Sequence, residues 1–451
     1  MRSITKARKF NKNPGPIKVE FTAKNLTPFG GLGLFSQFVR KLNLKKVLNA
    51  VNPAQTEIIS NGRYSVGEKI LSQTYGLVCG LERPADTEIL QRDTVFQTLT
   101  GYESYPDQST HSRFLSSFVV KGAQEIGEQN TQMLLKVRHN FSDWWKLTFD
   151  TDSHVKTVYG KQQRADVGYN PKKPGRKSYH PLFCFIGETR DLLQGKLRSG
   201  SKYTSAGTIP FLKECLRIVP GHIRQLYWRG DSGFYSFEDL HFAENNQFKY
   251  AIVAKLYKTI QSKLGGLEYR DIGGGVEVSE FEQHLKQGKK KLTCRMVVIR
   301  EEIQEDHSAK KQAKLFELKG YSFQVIATNI WKDAPEEVWR FYNGRANIEN
   351  MIKESALSFG LEVSPSHKYA GNMAYLQMGM LAYNLMNWFK EKVLNQTKQK
   401  KMLKWIRNHY FLIAGRLVRR GRSLLLKLSQ DYPWQKEYRQ AEARLEALQF
   451  I

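Results

Sequence analysis

Four side chains in one short stretch have the types and spacing to do phosphate or metal chemistry. Residues 339–354 read W-R-F-Y-N-G-R-A-N-I-E-N-M-I-K-E, with Tyr342, Arg345, Glu349 and Lys353 following one another at intervals of three, four and four. That spacing predicts a single α-helical face with an acid between an arginine and a lysine and a phenol at one end. An arginine forks onto phosphate, a lysine supplies a point charge, and an acid can hold a cation. Burying such charges is costly unless they are paired or bind a metal, so the face is either solvated or a site. Taken alone, this stretch leaves both readings open.

Two further acids stand where a sheet would present them. Lys146-Leu147-Thr148-Phe149-Asp150-Thr151-Asp152 reads as a strand ending in acids, and residues 223–228 read as another, followed by Arg229-Gly230-Asp231-Ser232-Gly233-Phe234. In α/β sheets functional groups gather beyond the carboxyl ends of strands, so Asp152 and Asp231 can converge. Asp150 lies two residues earlier on the same strand face and competes with Asp152. Each acid also suits a turn or a cap. Together with Glu349 they form an all-oxygen set without a His or Cys cluster, which suits Mg²⁺ or Mn²⁺. Two such ions about 3.5 to 4 Å apart can activate an attacking oxygen and stabilise a leaving one in phosphodiester chemistry.

The rest of the chain must position these groups and supply their substrate. It has 451 residues, 70 Lys plus Arg against 43 Asp plus Glu, and a formal charge of +27. The length implies two or three domains, and the surplus points to a polyanion, nucleic acid first. The richest apolar stretch, residues 373–389, is broken by Gln377, Asn384 and Asn387, which argues against a membrane span. The basic, polar first twenty residues hold no signal peptide. Cys79, Cys184, Cys215 and Cys294 are scattered without a CxxC pair, so structural zinc and disulfides are not expected and a reducing cytoplasm fits.

Residues 1–19 read as a flexible basic arm. Helices are predicted over residues 34–51, from a capping box at Ser65 and Glu68, from Pro84 toward Thr100, and after Pro106-Asp107. Short helices joined by turns in a basic chain suit a helix-turn-helix-like DNA reader or a plain bundle. Strands and helices then alternate over residues 146–254, with a basic Pro/Gly loop at 169–177, giving an α/β unit. Residues 258–326 read as a mainly β insertion. After the 339–354 helix comes a largely helical basic tail, in which Arg416, Arg419, Arg420, Arg422 and Lys427 alternate with apolar residues.

The set Tyr342-x-x-Arg345-x-x-x-Glu349-x-x-x-Lys353 resembles the Tyr-Arg-Glu signature of a superfamily of bacterial insertion-sequence DDE transposases. Asp150-Thr-Asp-Ser153, Val158-Tyr159-Gly160-Lys161-Gln162, the Asn-Pro-Lys-Lys-Pro-Gly-Arg core of 168–181, and Arg229-Gly-Asp-Ser-Gly-Phe234 resemble the thirteen-eighty family within it. The likeness spans roughly residues 20–430.

The resemblance implies an RNase H-like core in which Asp152, Asp231 and Glu349 are catalytic and bind two divalent ions, Mg²⁺ or Mn²⁺. Tyr342, Arg345 and Lys353 would contact DNA phosphate near the cut. It implies hydrolysis at terminal inverted repeats, attack of the freed 3′-hydroxyl on double-stranded target DNA, and a homodimer on DNA associated with the nucleoid. Its alignment selects Asp152, immediately before Ser153. A further lysine, seven residues past the Glu in many relatives, is Ala356 here, and Trp331 and Tyr321 are candidates for stacking on a flipped base. The expected layout is a basic arm at 1–19, a helical DNA-binding domain at 20–140, core parts at 141–257 and 327–392, the β insertion at 258–326, and a basic helical region at 393–451. The rival functions are a metal-dependent endonuclease without strand transfer and an inactive DNA-binding protein.

Overall fold

The strand Lys146–Ser153 (β1) is buried without a break from Leu147 to Thr151, the pattern of a strand covered on both faces. In this computed structural model, which describes residues 17–56, 62–171, 173–202, 205–303, 316–318 and 320–450, β1 lies inside a large mixed sheet. Leu182–Ile186 (β2), buried at every position, pairs antiparallel with β1, and Leu192–Lys196 (β3) continues antiparallel beyond it. On the other side Gln225–Gly230 (β4) runs parallel to β1, and Phe248–Val253 (β5) parallel to β4. The order of these five strands is β3-β2-β1-β4-β5.

The sheet does not end at β5. Val276–Gln287 (β6), Lys290–Glu302 (β7) and Tyr321–Thr328 (β8) form an antiparallel meander, and β8 pairs with β5 through Ile326 and Val253. The strands that read as a separate insertion are thus hydrogen-bonded onto the edge of the central sheet.

Helices cover the opposite end. Leu32–Lys41 (α1), Val66–Val78 (α2), Gln108–Ser117 (α3) and Val120–Val137 (α4) form the N-terminal layer. The predicted capping box opens α2: the Ser65 hydroxyl accepts from Glu68 N and the Glu68 carboxylate from Ser65 N. The helix expected from Pro84 toward Thr100 is instead three short pieces, Pro84–Thr87, Glu88–Gln91 and Thr94–Thr100, the last capped by Asp93.

On the sheet's flanks lie Thr208–Ile218 (α5) and Phe237–Asn245 (α6), and after β8 come Pro335–Asn343 (α7), Ala346–Ser358 (α8) and Tyr369–Val393 (α9). Helix α9 is buried over nearly its whole length, against α2, α4 and β3. Its polar residues serve the sheet edge. Asn384 accepts from Leu192 N and donates to Leu192 O, and Gln377 donates to Gly195 O, so amide side chains satisfy an edge that another strand could otherwise extend. Among the described residues no helix is long and apolar enough to cross a membrane.

The C-terminal region holds helices, as expected, but residues 415–428 depart from that reading. Gly415–Arg420 (β9) and Ser423–Leu428 (β10) form a β-hairpin, and the short strand Leu26–Thr27 pairs with β9. A helix, Gln435–Ala447 (α10), follows. The physical reason is Gly421, whose φ of +61° closes a two-residue turn between Arg420 and Ser423.

Candidate functional site

The register of the parallel pair β1 and β4 sets up the site. Asp150 is the last residue of β1 paired with β4, opposite Arg229. Two residues further along each chain stand Asp152 and Asp231, side by side at the carboxyl ends of neighbouring strands. Asp231 follows β4 directly and accepts from Gly233 N at 2.9 Å, which opens the short turn at Ser232–Phe234. Asp152 accepts from Ser153 N at 2.8 Å.

Asp150 and Asp152 share a strand face yet meet different partners. Asp150 is fully buried, and both of its oxygens are held by the Arg229 fork, Nε at 2.6 Å and Nη2 at 2.7 Å. Burial raises the Asp150 carboxyl, and the Arg229 charge works against that rise. Asp152 is more open, its side chain 13% exposed, and Arg345 Nη2 lies 3.3 Å from its Oδ2.

Arg229 also shapes the helix that carries Arg345. Its Nη1 donates to the Phe341 carbonyl at 2.7 Å, and its guanidinium lies over the Phe341 ring at 5.1 Å. In an unbroken helix the Phe341 carbonyl would accept from Arg345 N. With that carbonyl engaged, Arg345 N turns to Tyr342 O at 2.8 Å, three residues back. The single helix predicted across 339–354 is therefore two, α7 and α8, with Gly344 and Arg345 at the junction. Gly344 is required there, because a Cβ would stand 2.1 Å from Arg229 Nη1.

This junction brings Tyr342 and Arg345 over the acids. Both are buried, and Asp152 and Asp231 each act electrostatically on both. Burial alone would lower the Arg345 pKa, but Asp152, Tyr342, Asp231 and Asp150 hold it above the ordinary arginine range. Burial raises the Tyr342 phenol, Arg345 opposes that rise, and Asp231 and Asp152 add to it. Arg345 Nε is buried with no hydrogen-bond partner among the described residues. Among the described residues, then, this guanidinium beside two acids still has an N–H able to take an acceptor.

Glu349 lies on α8, one turn past Arg345, and α8 packs against β1. Its side chain is outside the described residues. Lys353, a turn further on, is exposed. Of the aromatic candidates, Trp331 is half-exposed after β8, whereas Tyr321 at the start of β8 stacks under Arg300 at 4.3 Å. The basic arm lies largely outside the described residues.

Asp152 and Asp231 are hard, partly open oxygen donors on adjacent strand ends, a donor set that fits a divalent cation. Among the described residues no group of three or more His, Cys, Asp or Glu forms a complete cage. Around the site, His180 bridges Ser153 and the Lys202 carbonyl, and His154 pairs with Glu362. Sequence reasoning missed Arg229 as the group that consumes Asp150 and breaks the helix. Its place in the Arg-Gly-Asp run was visible, but its two partners are remote in sequence.

Among known proteins, no curated sequence matches the chain. It is similar in structure to piggyBac transposase, solved by cryo-EM as a synaptic complex with hairpin DNA, at 13% identity and a TM-score of 0.44 over 85% of this chain and 79% of that one. The family model described as transposase DDE domain group 1 matches residues 9–450. With nearly its whole length matched, the chain belongs to the DDE transposase family.

Proposed function

We propose that the chain is an insertion-sequence transposase of the thirteen-eighty kind, which cuts double-stranded DNA at the element's terminal inverted repeats and joins the freed 3′-hydroxyl to target DNA. The observation that carries this reading is the pairing of Asp152 and Asp231 on neighbouring strand ends beneath the buried Arg345, in a chain of the DDE transposase family. The strand order β3-β2-β1-β4-β5, with β2 alone antiparallel to β1 at its centre, supports an RNase H-like core.

In this reading Asp152, Asp231 and Glu349 would hold two divalent ions, Mg²⁺ or Mn²⁺. When bound, such ions activate the attacking oxygen and stabilise the leaving one. Asp150 has no such role, because both of its oxygens are engaged by Arg229. The chain's other groups bind and orient the phosphodiester. Arg345, desolvated and fixed by the α7–α8 junction, presents to a phosphate oxygen the Nε–H that has no partner among the described residues. Tyr342, its phenol raised by burial, stays protonated at neutral pH and can donate to a second oxygen. Lys353 meets the backbone as a mobile point charge. The helices at 20–140 read the terminal repeats, and two copies act on paired ends.

The test is Glu349→Gln, which keeps shape and removes charge. Binding to an end-bearing duplex is expected to persist while cleavage with Mg²⁺ disappears. Wild-type cleavage in that variant would overturn the three-acid assignment.

A further inference from the structure

The hairpin β9–β10 carries five cations, Arg416, Arg419, Arg420, Arg422 and Lys427, and no acid across residues 415–428. All five are exposed, and among the described residues none of them forms an ion pair. On the β6–β7 ribbon, by contrast, two arginines are matched by acids: Arg295 pairs with Glu280 and Arg300 with Glu277.

The ribbon is anchored at its base and free at its tip. Leu417 N donates to Asn25 O at 3.0 Å, and Leu426 and Leu428 lie over Gly33 and Gly30. Leu417 pairs with Leu426 across the ribbon, while Arg416 pairs with Lys427 on the opposite face. Beyond these pairs the tip runs Arg419-Arg420-Gly421-Arg422. A Cβ at Gly421 would have nothing within 4 Å, so the tip projects from the surface.

We infer that the β9–β10 ribbon is an arm that grips duplex DNA through its phosphates, independently of base sequence. The inference rests on the reading of this chain as a DNA-acting transposase, and it adds a surface away from the carboxylates. Two-stranded ribbons fit a DNA groove, and arginines on a narrow tip reach the phosphates that flank it. Charge selects this occupant over a second copy of the chain. The exposed Leu424 and Leu425 and the unpaired edge of β10 could support a ribbon-to-ribbon dimer, but that contact would set five uncompensated cations against five.

The test is the salt dependence of binding to a duplex without terminal repeats, comparing the full-length protein with Arg419→Ser/Arg420→Ser/Arg422→Ser. Each phosphate contact contributes about 0.9 to the slope of log K against log salt, so the triple variant should lose about 2.7 from that slope. Between 50 and 200 mM salt its affinity should then fall about 40-fold less than wild type's. The triple lysine variant at the same positions should restore the slope, and Arg422→Gln alone should shift it by about 0.9. An unchanged slope in the triple variant overturns the inference, as does a variant that changes only the oligomeric state without DNA. Asp231→Asn serves as the separate control: it should keep the wild-type slope while losing cleavage. Wild-type protein that fails to bind DNA would overturn the functional reading itself.

Discussion

Two acid–arginine pairs, two residues apart on one face of the same strand, have opposite characters. At the base of the site, Asp150 and Arg229 make a two-pronged contact, and the third Arg229 nitrogen reaches the Phe341 carbonyl. At its mouth, Arg345 approaches Asp152 at 3.3 Å without a matched fork, and its buried Nε has no hydrogen-bond partner among the described residues. A buried pair whose donors and acceptors are all matched holds a fold together, and a pair with capacity left over is poised for a ligand. A third pair agrees with this division. Asp191 takes Arg138, Asn387 and Trp388 at once, and it lies at the sheet's far edge, away from the strand-end acids.

If the contrast is real, substitutions on the two sides must fail in different ways. At the mouth, Asp152→Asn and Asp231→Asn should each lower end cleavage on the order of 10³-fold or more while leaving the unfolding midpoint close to wild type. Cleavage near wild type with a large loss of stability would reverse the two roles. At the base, Arg229→Ala leaves a buried carboxylate unpaired and should destabilise the fold by about 3 to 5 kcal/mol, read by urea unfolding. The double variant Asp150→Ala/Arg229→Ala should recover part of that loss, and strict additivity would show that the pair is not coupled.

A smaller effect separates Arg345 from a generic cation. Arg345→Lys keeps the charge and loses the fork, so strand cleavage should fall about 10- to 100-fold with stability largely retained. Turnover equal to wild type would put Arg345 outside the reaction.

The smallest effect concerns Lys156, buried beside the site with its Nζ 2.6 Å from the Val363 carbonyl. Burial lowers its pKa to about 7, against an ordinary 10.5, while Glu362 opposes that shift. Between those values the unfolded chain holds the extra proton, so stability should rise with pH across about 7 to 10.5 by at most about 1.4 kcal/mol per pH unit. Lys156→Met should flatten this rise in thermal melts taken across the window. An identical rise in the variant would assign it to other groups.

Much of the scaffold was legible because it is written locally. The unbroken apolar run of β2, the Ser65 and Asp107 caps, and the acids closing two strands all act within a few residues of themselves. Of the residues chosen by type and spacing, Asp152, Asp231, Tyr342 and Arg345 lie close together, whereas the Glu349 side chain falls outside the described residues.

What escaped the sequence was decided at long range. Strand periodicity gives Asp150 and Asp152 the same face, and only Arg229 distinguishes them. The break at Gly344 comes from the same side chain, 112 residues before the carbonyl it takes. The 415–428 hairpin was misread because its arginines and leucines fit a helical repeat as well as a paired ribbon. Gly421 between two such runs was the available signal.

The most direct measurement incubates the protein with an end-bearing DNA fragment, a plasmid target and Mg²⁺, and follows cut and joined products beside Asp231→Ala. Joined products that vanish in the variant are the expected result for a DDE transposase using Asp231. Cutting without joining would reassign the chain as an endonuclease, and joined products that persist in Asp231→Ala would contradict the site itself.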